Sequence, residues 1–441
     1  MSRTYSMEEA INSAGFGYSQ LKLVAITGFF QAADAMELMM LSFLGPAVQC
    51  QWNLTDTEVS ALTTVVFVGM LFGTYFWGIF ADRYGRWTAL FYDCITVFLF
   101  AMLSAGSVNY GMLMFARTMV GFGLGGFGVS WSYFLEFIPT EQRGRWACIM
   151  LGWWSVGTVL EAGLAWAILP TIGWRWLLVI SAAPLLIVLV GLFFLPESPR
   201  YFLVVGNPQK AQEILETVAE GNGKSLPEGN LIGGQIEQRS NPIETLKIIW
   251  SPKWARLTGN LWLLWFANAF CYYGLVLMTT TLRYADSDED ICERDHPFTD
   301  EDYIDVFIAT AAEIPGLALA LVIVDRIGRK LSQAFLFGGT AVFILLLIPL
   351  DHQTTADVAI LFFARMLITG AFTVTYLYTP EVYPTNIRGT AFGIANSFAR
   401  IGGMLCPFVA QDLLQSGYAW ATELIFAFFC LMATIAAVRL P

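Results

Sequence analysis

The sequence predicts an all-α membrane protein whose twelve transmembrane helices form two six-helix bundles related as parallel repeats. Three observations predict it. The 441 residues are 56% hydrophobic and only 13% charged, with a mean hydropathy of +0.59, against about 25% charged in a soluble chain. Twelve stretches reach the roughly 20 apolar residues that a membrane-crossing helix needs. Short charged motifs recur in the same order about 245 residues apart, the mark of a duplication.

In chain order the spans are expected at 21–47, 57–81, 87–106, 110–135, 146–170 and 175–195, then at 256–283, 303–324, 330–350, 356–379, 390–415 and 418–440. Runs such as WLLVISAAPLLIVLVGLFFL at 176–195 are apolar on all sides, whereas barrel strands would alternate apolar and polar residues in segments of about ten. The first twenty residues hold Arg3, Glu8 and Glu9 but no cleavable apolar core, so the first span is expected to serve as an uncleaved signal anchor. Residues 1–195 make the first bundle. The polar stretch 196–255 contains PQKAQEILETVAEGNG, whose apolar spacing suits a short surface helix ended by glycine, and reads as a linker. Residues 256–441 make the second bundle.

Charge excludes several classes of function. The net charge of −11 and pI near 4.8 argue against a nucleic-acid partner, which attracts clustered Lys and Arg. Much of the acidity sits in one loop, 286–305, expected to be a solvated outer loop. The chain has two histidines, His296 and His352, and seven scattered cysteines without a CxxC. No metal site, redox pair, cofactor or prosthetic group is expected. No nucleophile–base constellation points to an enzyme either.

Orientation follows from the basic residues. Of 24 Lys and Arg, eighteen fall on the side of the termini and three, Arg175, Arg283 and Arg294, on the opposite side, which predicts cytoplasmic termini and a cytoplasmic linker. Cys50 and Cys292 then face an oxidising compartment and are candidates for a disulfide. Their approach is not readable from sequence. Asn53-Leu54-Thr55 is a glycosylation sequon on the same side, in a short loop close to the membrane.

The duplication is the most specific signal. EFIPTEQRG at 136–144 returns as EVYPTNIRG at 381–389, so E-x-x-P-T-x-x-R-G stands twice, 245 positions apart. DRYGR at 82–86 returns as DRIGR at 325–329, and FAR at 115–117 returns at 363–365. Each pair occupies the corresponding place within six helices, so the halves share one orientation and are related about the membrane normal.

GIFADRYGRW at 78–87 resembles the loop between the second and third helices of the major facilitator superfamily, and PESPR at 196–200 resembles the element ending the sixth helix in its sugar and organic-ion porters. ADAMELMMLSFLGP, RTMVGFGLGG, GWRWLLVISAAP, ANAFCYYGLVL, YTPEVYPT and SFARIGGMLCPFVAQ resemble the branch that contains the synaptic vesicle two-related protein and the nicotinate transporters. The resemblance covers nearly the whole chain. It implies the major facilitator fold, transport of a small solute by alternating access, and a cytoplasmic tail after Pro441.

Ionised groups in hydrocarbon are costly unless paired or hydrated, so those inside the spans are functional candidates. Asp34 and Glu37 stand three residues apart on one face of the first span, with Gln31 one turn earlier. Two close carboxyls at mid-depth repel and lose hydration, which suits proton coupling. Their D-x-x-E pattern also resembles the acidic pair of proton-coupled aromatic-acid and organic-ion transporters. Arg400 in the eleventh span could grip a cargo carboxylate or pair with a protein acid. Glu161 and Glu313 are the candidates for that acid, or for a second proton site. Arg117 and Arg365 occupy equivalent repeat positions and are expected to be structural or coupling residues. Asp82, Arg83, Arg86, Glu136 and Arg143, with Asp325, Arg326, Arg329, Glu381 and Arg388, are expected to gate the cytoplasmic side through salt bridges and helix-end dipoles. Trp166, Tyr272, Tyr273, Tyr376 and Tyr378 lie where aromatic rings could sandwich a planar heterocycle.

The function expected is proton-coupled symport of a small organic ion, with an aromatic monocarboxylate such as nicotinate as the leading cargo. An organic cation bound by Asp34 and Glu37 is the alternative among transporters, ahead of a sugar. A non-transporting binding protein of a vesicle or surface membrane is the alternative from another class. The partners expected are the cargo, protons and the bilayer of a plasma or vesicle membrane, with the chain acting as a monomer.

Overall fold

In the computed structural model, which describes residues 4–232, 242–285, 298–350 and 355–441, the apolar spans are helices. In the first half they are α1 (Tyr18–Trp52), α2 (Asp56–Tyr84), α3 (Arg86–Ala105), α4 (Tyr110–Leu135), α5 (Arg143–Ile172) and α6 (Trp174–Leu192). In the second half α7 is Ala255–Ala285 and a continuous stretch follows from Asp300 to Leu347. At 48 residues this stretch is about 72 Å of helix at about 1.5 Å per residue, far beyond one bilayer. It contains a non-helical Gly328 with φ 79° and is therefore two crossings, α8 (300–327) and α9 (329–347). α10 (Thr355–Val382), α11 (Ile387–Gln415) and α12 (Ala419–Val438) complete twelve.

The duplication is visible in the turns. Gly328 is the repeat partner of Gly85, which has φ 106° and turns α2 into α3. Gly173 and Gly417, both at φ 84°, likewise turn α5 into α6 and α11 into α12. Such left-handed backbone is cheap only for glycine, so the same residue type is kept at the same two turns of each half. Polar caps start other crossings: Thr55 and Glu58 form a capping box at α2, and Thr299 and Asp302 form one at α8.

Within each half, bare glycine surfaces let backbones touch. A Cβ added at Gly69 or Gly73 of α2 would lie 2.0 or 1.9 Å from carbonyl oxygens of Thr118 and Phe122 on α4. The equivalent contact in the second half puts Gly316 of α8 against the Met366 carbonyl of α10, at 2.3 Å from such a Cβ. In hydrocarbon, where lipid tails are as apolar as leucine, small residues make this close packing. The helices differ in enclosure. The apolar windows of α1 and α7 are each 83% buried, against 39% for α6 and 44% for α3 and α12, so α1 and α7 stand at the centre and α3, α6 and α12 outside.

On the side of the termini, the helix Met7–Ala14 packs on the linker helix Pro208–Gly221 through Ile11, Ala211 and Leu215. Thr4–Tyr5 pairs in parallel with Asn230–Leu231. His296, His352, Cys292 and Arg294, and most of the acidic stretch 286–305, lie outside the described residues. Cys50 is disulfide-bonded. Asn53 ends α1 in a left-handed conformation with its side chain exposed.

Leucine at Gly73 must push the α4 backbone away, whereas leucine at Gly78, which has nothing within 4 Å, meets open space. Gly73→Leu is expected to destabilise by about 1–3 kcal/mol, the usual cost of overpacking. Thermal melting of the two purified variants in detergent checks this, with Gly78→Leu melting as the wild type does.

Candidate functional site

At the centre of the molecule a cavity is lined by residues of both halves. From the first half come Asp34 and Leu38 of α1, Met70 of α2, Leu124 and Phe127 of α4, and Leu151, Trp154 and Ser155 of α5. From the second come Tyr272 and Tyr273 of α7, Leu317 of α8, Thr369, Phe372, Thr373 and Tyr376 of α10, and Arg400 of α11. Its aromatic wall is ordered by ring packing. Tyr272 stacks on Phe372 with centroids 5.6 Å apart and planes 17° apart, while Tyr376 meets Phe372 edge-on at 5.3 Å. These are the offset and edge-to-face arrangements that aromatic quadrupoles favour.

The buried charges sort into paired and unpaired. Arg117 Nη1 of α4 donates to Glu37 Oε2 of α1 at 2.8 Å, and both side chains are fully buried. Arg365 Nη2 of α10 donates to Glu313 Oε1 of α8, also at 2.8 Å, and its Nη1 donates to Thr310 at 3.0 Å. Glu313 is held further by Tyr272, whose hydroxyl donates at 2.9 Å, and by Thr158 of α5 at 3.0 Å. Trp154 of α5 donates to the Tyr272 hydroxyl at 2.9 Å. One hydrogen-bonded chain thus runs from α5 across the cavity wall to Arg365.

Arg400 and Asp34 stand apart from these pairs. Arg400 is buried, lies 3.9 Å from the Met70 sulfur and beside the Tyr273 hydroxyl, and has no acid within 4.0 Å among the described residues. Asp34 is buried, and neither of its carboxyl oxygens has a hydrogen-bond partner among the described residues. The cavity therefore holds, among the described residues, one cation and one carboxyl without an ion-pair partner, the cation near enough for its charge to act on the carboxyl yet not joined to it.

Five of the eleven cavity candidates named from the sequence line the space: Asp34, Tyr272, Tyr273, Tyr376 and Arg400. The other six lie elsewhere. Glu37 turns from Asp34 to Arg117, so the two acids of the first span do not act as one facing pair. Gln31 is buried in α1 with its amide unpartnered among the described residues. Glu161 accepts from Ser181 at 2.7 and 2.9 Å inside the first half, and Glu313 is taken by Arg365, so neither is the partner of Arg400. Trp166 is 40% exposed and donates to Asp300 at 3.1 Å near the opposite face. Tyr378 donates to the Pro441 carbonyl at 3.4 Å on the terminal side. The aromatic that α5 does contribute is Trp154, twelve residues or about 18 Å along the helix from Trp166. Depth measured from the span ends would have favoured it. Sequence reasoning also passed over Asp93, a carboxyl inside the apolar third span.

The gate residues pair within each half. Arg86 reaches Glu136 at 3.1 Å and Asp82 at 3.5 Å, and Ser198 donates to Glu136. Arg329 grips both oxygens of Glu381 at 3.0 and 3.2 Å. Arg143 and Arg388 make the same turn contact, donating to the carbonyls of Ile138 at 3.1 Å and Tyr383 at 3.2 Å. Arg143 also lies 3.9 Å from Glu8. Arg83 and Arg326 are exposed. Among the described residues no ion pair joins the halves on this side, where a cleft of about 1260 Å³, lined by Arg145, Cys148, Asp325, Arg329 and Glu381 among others, shares Leu317 with the central cavity. On the opposite side the halves are tied together. Thr57 bonds Asp412, Ser60 bonds the Pro407 carbonyl, Thr64 bonds the Met404 carbonyl and Trp166 bonds Asp300, at 3.0–3.2 Å. The cleft opens toward the termini, where Tyr75 of α2 and Ser397 of α11 still bridge the halves at 2.7 Å, and the other face is closed.

Two repeated six-helix halves around a charged central cavity, open to one side only, define a membrane transporter of the major facilitator class. The chain belongs to the family described as Sugar (and other) transporter, whose profile matches residues 11–440. It is 39% identical to organic cation/carnitine transporter 7 of Arabidopsis thaliana over 99% of this chain and 94% of that one. It is 38% identical to the synaptic vesicle 2-related protein of Xenopus laevis, over 99% and 81% of the two chains. Among solved structures, the partially occluded inward-open xylose transporter XylE of E. coli matches with a TM-score of 0.72 at 16% identity, covering 95% of this chain and 98% of that one, a likeness of fold.

Removing one member of a buried ion pair strands the other charge, at about 3–5 kcal/mol. Glu37→Gln is therefore expected to lower thermal stability strongly, while Asp34→Asn, with no partner to strand, leaves it nearly unchanged. Melting curves of both variants in one detergent check the contrast.

Proposed function

We propose that the chain carries a small organic ion across its membrane by alternating access, driven by protons, with an aromatic monocarboxylate such as nicotinate as cargo. The observation that carries this reading is Arg400. Of the three arginines deep within the spans, Arg117 and Arg365 each have a buried acid at 2.8 Å, and Arg400 faces the cavity without one within 4.0 Å among the described residues. A buried guanidinium left unpaired is costly, and a cargo carboxylate offering two oxygens in a plane fits its fork. Tyr272, Tyr273, Phe372 and Tyr376 would take the flat ring between them.

In this reading Asp34 receives the proton. An ionised carboxyl in its place has no hydrogen-bond donor, so a proton and the cargo arriving together leave the cavity closer to neutral than either does alone. That is the energetic basis of symport. Glu37 enters the cycle by exchanging its bond to Arg117 for a proton, freeing α1 to move against α4. The terminal-side cleft is the route to one compartment, and the excess of basic residues on that face supports its being cytoplasmic.

One observation favours a second reading. The unpaired carboxyl of Asp34, ringed by aromatics, also suits an organic cation, and the Arabidopsis relative is named for organic cations and carnitine. A binding protein that does not transport is less favoured, because the cleft connects the cavity to one face and both gate motifs are paired.

Reconstitution into liposomes tests the assignment: nicotinate uptake should rise when an inward proton gradient is imposed. Arg400→Gln should weaken nicotinate binding by about 2–5 kcal/mol, the cost of truncating a buried charge pair, and leave binding of an organic cation such as tetraethylammonium in place. Competition of both ligands on the same variant reads this directly. In a separate measurement, Asp34→Asn should abolish gradient-driven accumulation while retaining exchange at equal pH.

A further inference from the structure

Asp93 is the acid within the first half's spans that neither the cavity, an ion pair nor a hydrogen bond accounts for among the described residues. It is the eighth residue of α3, fully buried, and neither carboxyl oxygen has a hydrogen-bond partner among the described residues. Its surroundings are shaped to hold it. A Cβ added at Gly126 of α4 would lie 2.0 Å from Asp93 Oδ2, and one at Gly123 would lie 3.4 Å from Oδ1. At 126 only glycine leaves room for the carboxyl, while at Gly123 the crowding neighbour is Val97, 2.3 Å from such a Cβ. The two glycines also mark the place where α4 is interrupted, between Tyr110–Leu124 and Phe127–Leu135. Leu124 and Phe127, on either side of that break, line the central cavity. Asp93 thus lies directly behind the cavity wall.

The ionisable groups around it are few. On α1 there is Asp34, which is the one group whose charge acts on the Asp93 carboxyl. Cys94 follows it in α3 and feels both aspartates. On α4, Arg117 is occupied by Glu37 and Tyr133 donates to the Pro196 carbonyl. Glu161 on α5 is satisfied by Ser181 from α6. Glu37 and Glu161 thus have partners, Asp34 and Asp93 have no hydrogen-bond partner among the described residues, and the charge of Asp34 reaches Asp93.

A buried carboxyl without donor or cation is costly to ionise and is retained in hydrocarbon where a proton must come and go. We propose that Asp93 is a second proton site in series with Asp34, so that the coupling proton is shared between a carboxyl facing the cargo and one behind the α4 break. The exchange moves one proton from an oxygen of one carboxyl to an oxygen of the other, and no other bond changes. Asp34 can then ionise beside Arg400 before cargo arrives while the proton is kept within the half. The proposal rests on the proton-coupled reading given above.

The test uses the full chain in liposomes, with nicotinate and, in parallel, tetraethylammonium as probes. Asp93→Asn should bind the probe as the wild type does and exchange it at equal pH, because Asp93 does not line the cavity. Gradient-driven uptake should fall by at least about tenfold, a modest loss for removal of a proton-transfer group, and its pH profile should lose one step. Uptake with wild-type rate and pH profile overturns the proposal. So does joint loss of binding, exchange and uptake in both Asp93→Asn and the smaller Asp93→Ser, which makes Asp93 a packing residue. If the wild type itself ignores the gradient, the proton-coupled reading fails first and takes the proposal with it.

Discussion

A guanidinium inside a bilayer persists only where something meets its charge, and that requirement organises this molecule. Arg117 and Arg365 are each met by one carboxylate at 2.8 Å, and those contacts tie α1 to α4 and α8 to α10. Both acids are consumed, and among the described residues no acid lies within 4.0 Å of Arg400. The central cavity is therefore charged by construction, with its one free cation on α11 and its one free carboxyl on α1 among the described residues. In the function proposed above, cargo class and proton coupling both follow from how these two charges are satisfied in turn.

The duplication supplies the frame on which those charges are hung. Paired glycine turns, paired arginine–carbonyl contacts at Arg143 and Arg388, and paired ion bonds from Arg86 and Arg329 repeat nearly residue for residue. The cavity does not repeat. Arg117 and Arg365 are equivalent, but their acids come from α1 and α8, which are not equivalent helices, and only the second half places a free arginine in the cavity. A symmetric frame permits rocking of two similar bodies, while the asymmetric charges give the space between them a direction.

The side-to-side difference has the same logic. Hydroxyl-to-carbonyl bonds between α2 and α11 close the face opposite the termini. On the terminal face each half keeps its ions to itself, leaving a cleft that adjoins the cavity at Leu317. Neutral bonds of this kind are individually weak, so the closed face can be exchanged for an open one without stranding a buried charge. The Arg365–Glu313 pair deeper in the second half, held further by Tyr272 and Thr158, is not so easily exchanged.

Composition, span length and the repeated E-x-x-P-T-x-x-R-G were enough to determine a twelve-helix membrane protein in two parallel halves, because hydrocarbon admits no other economical backbone and a repeated motif must take a repeated place. They also marked Asp34, Glu37, Arg117, Arg365 and Arg400 as candidates, since a charge in an apolar run is legible without any fold. Which charges meet was decided only by the tertiary structure. Asp34 and Glu37 share a helix face within about a turn of each other, yet their neighbours differ: α4 presents Arg117 to one, and the cavity lies before the other. Trp166 and Trp154 share a helix, and only the packing of α5 against α7 and α8 selects Trp154 for the cavity. Asp93 needed the glycines of α4 beside it before its carboxyl could be seen as held rather than merely buried. Contacts between residues far apart in sequence depend on how helices cross, and that geometry is set by the summed packing of many side chains, not by the local pattern of any one span.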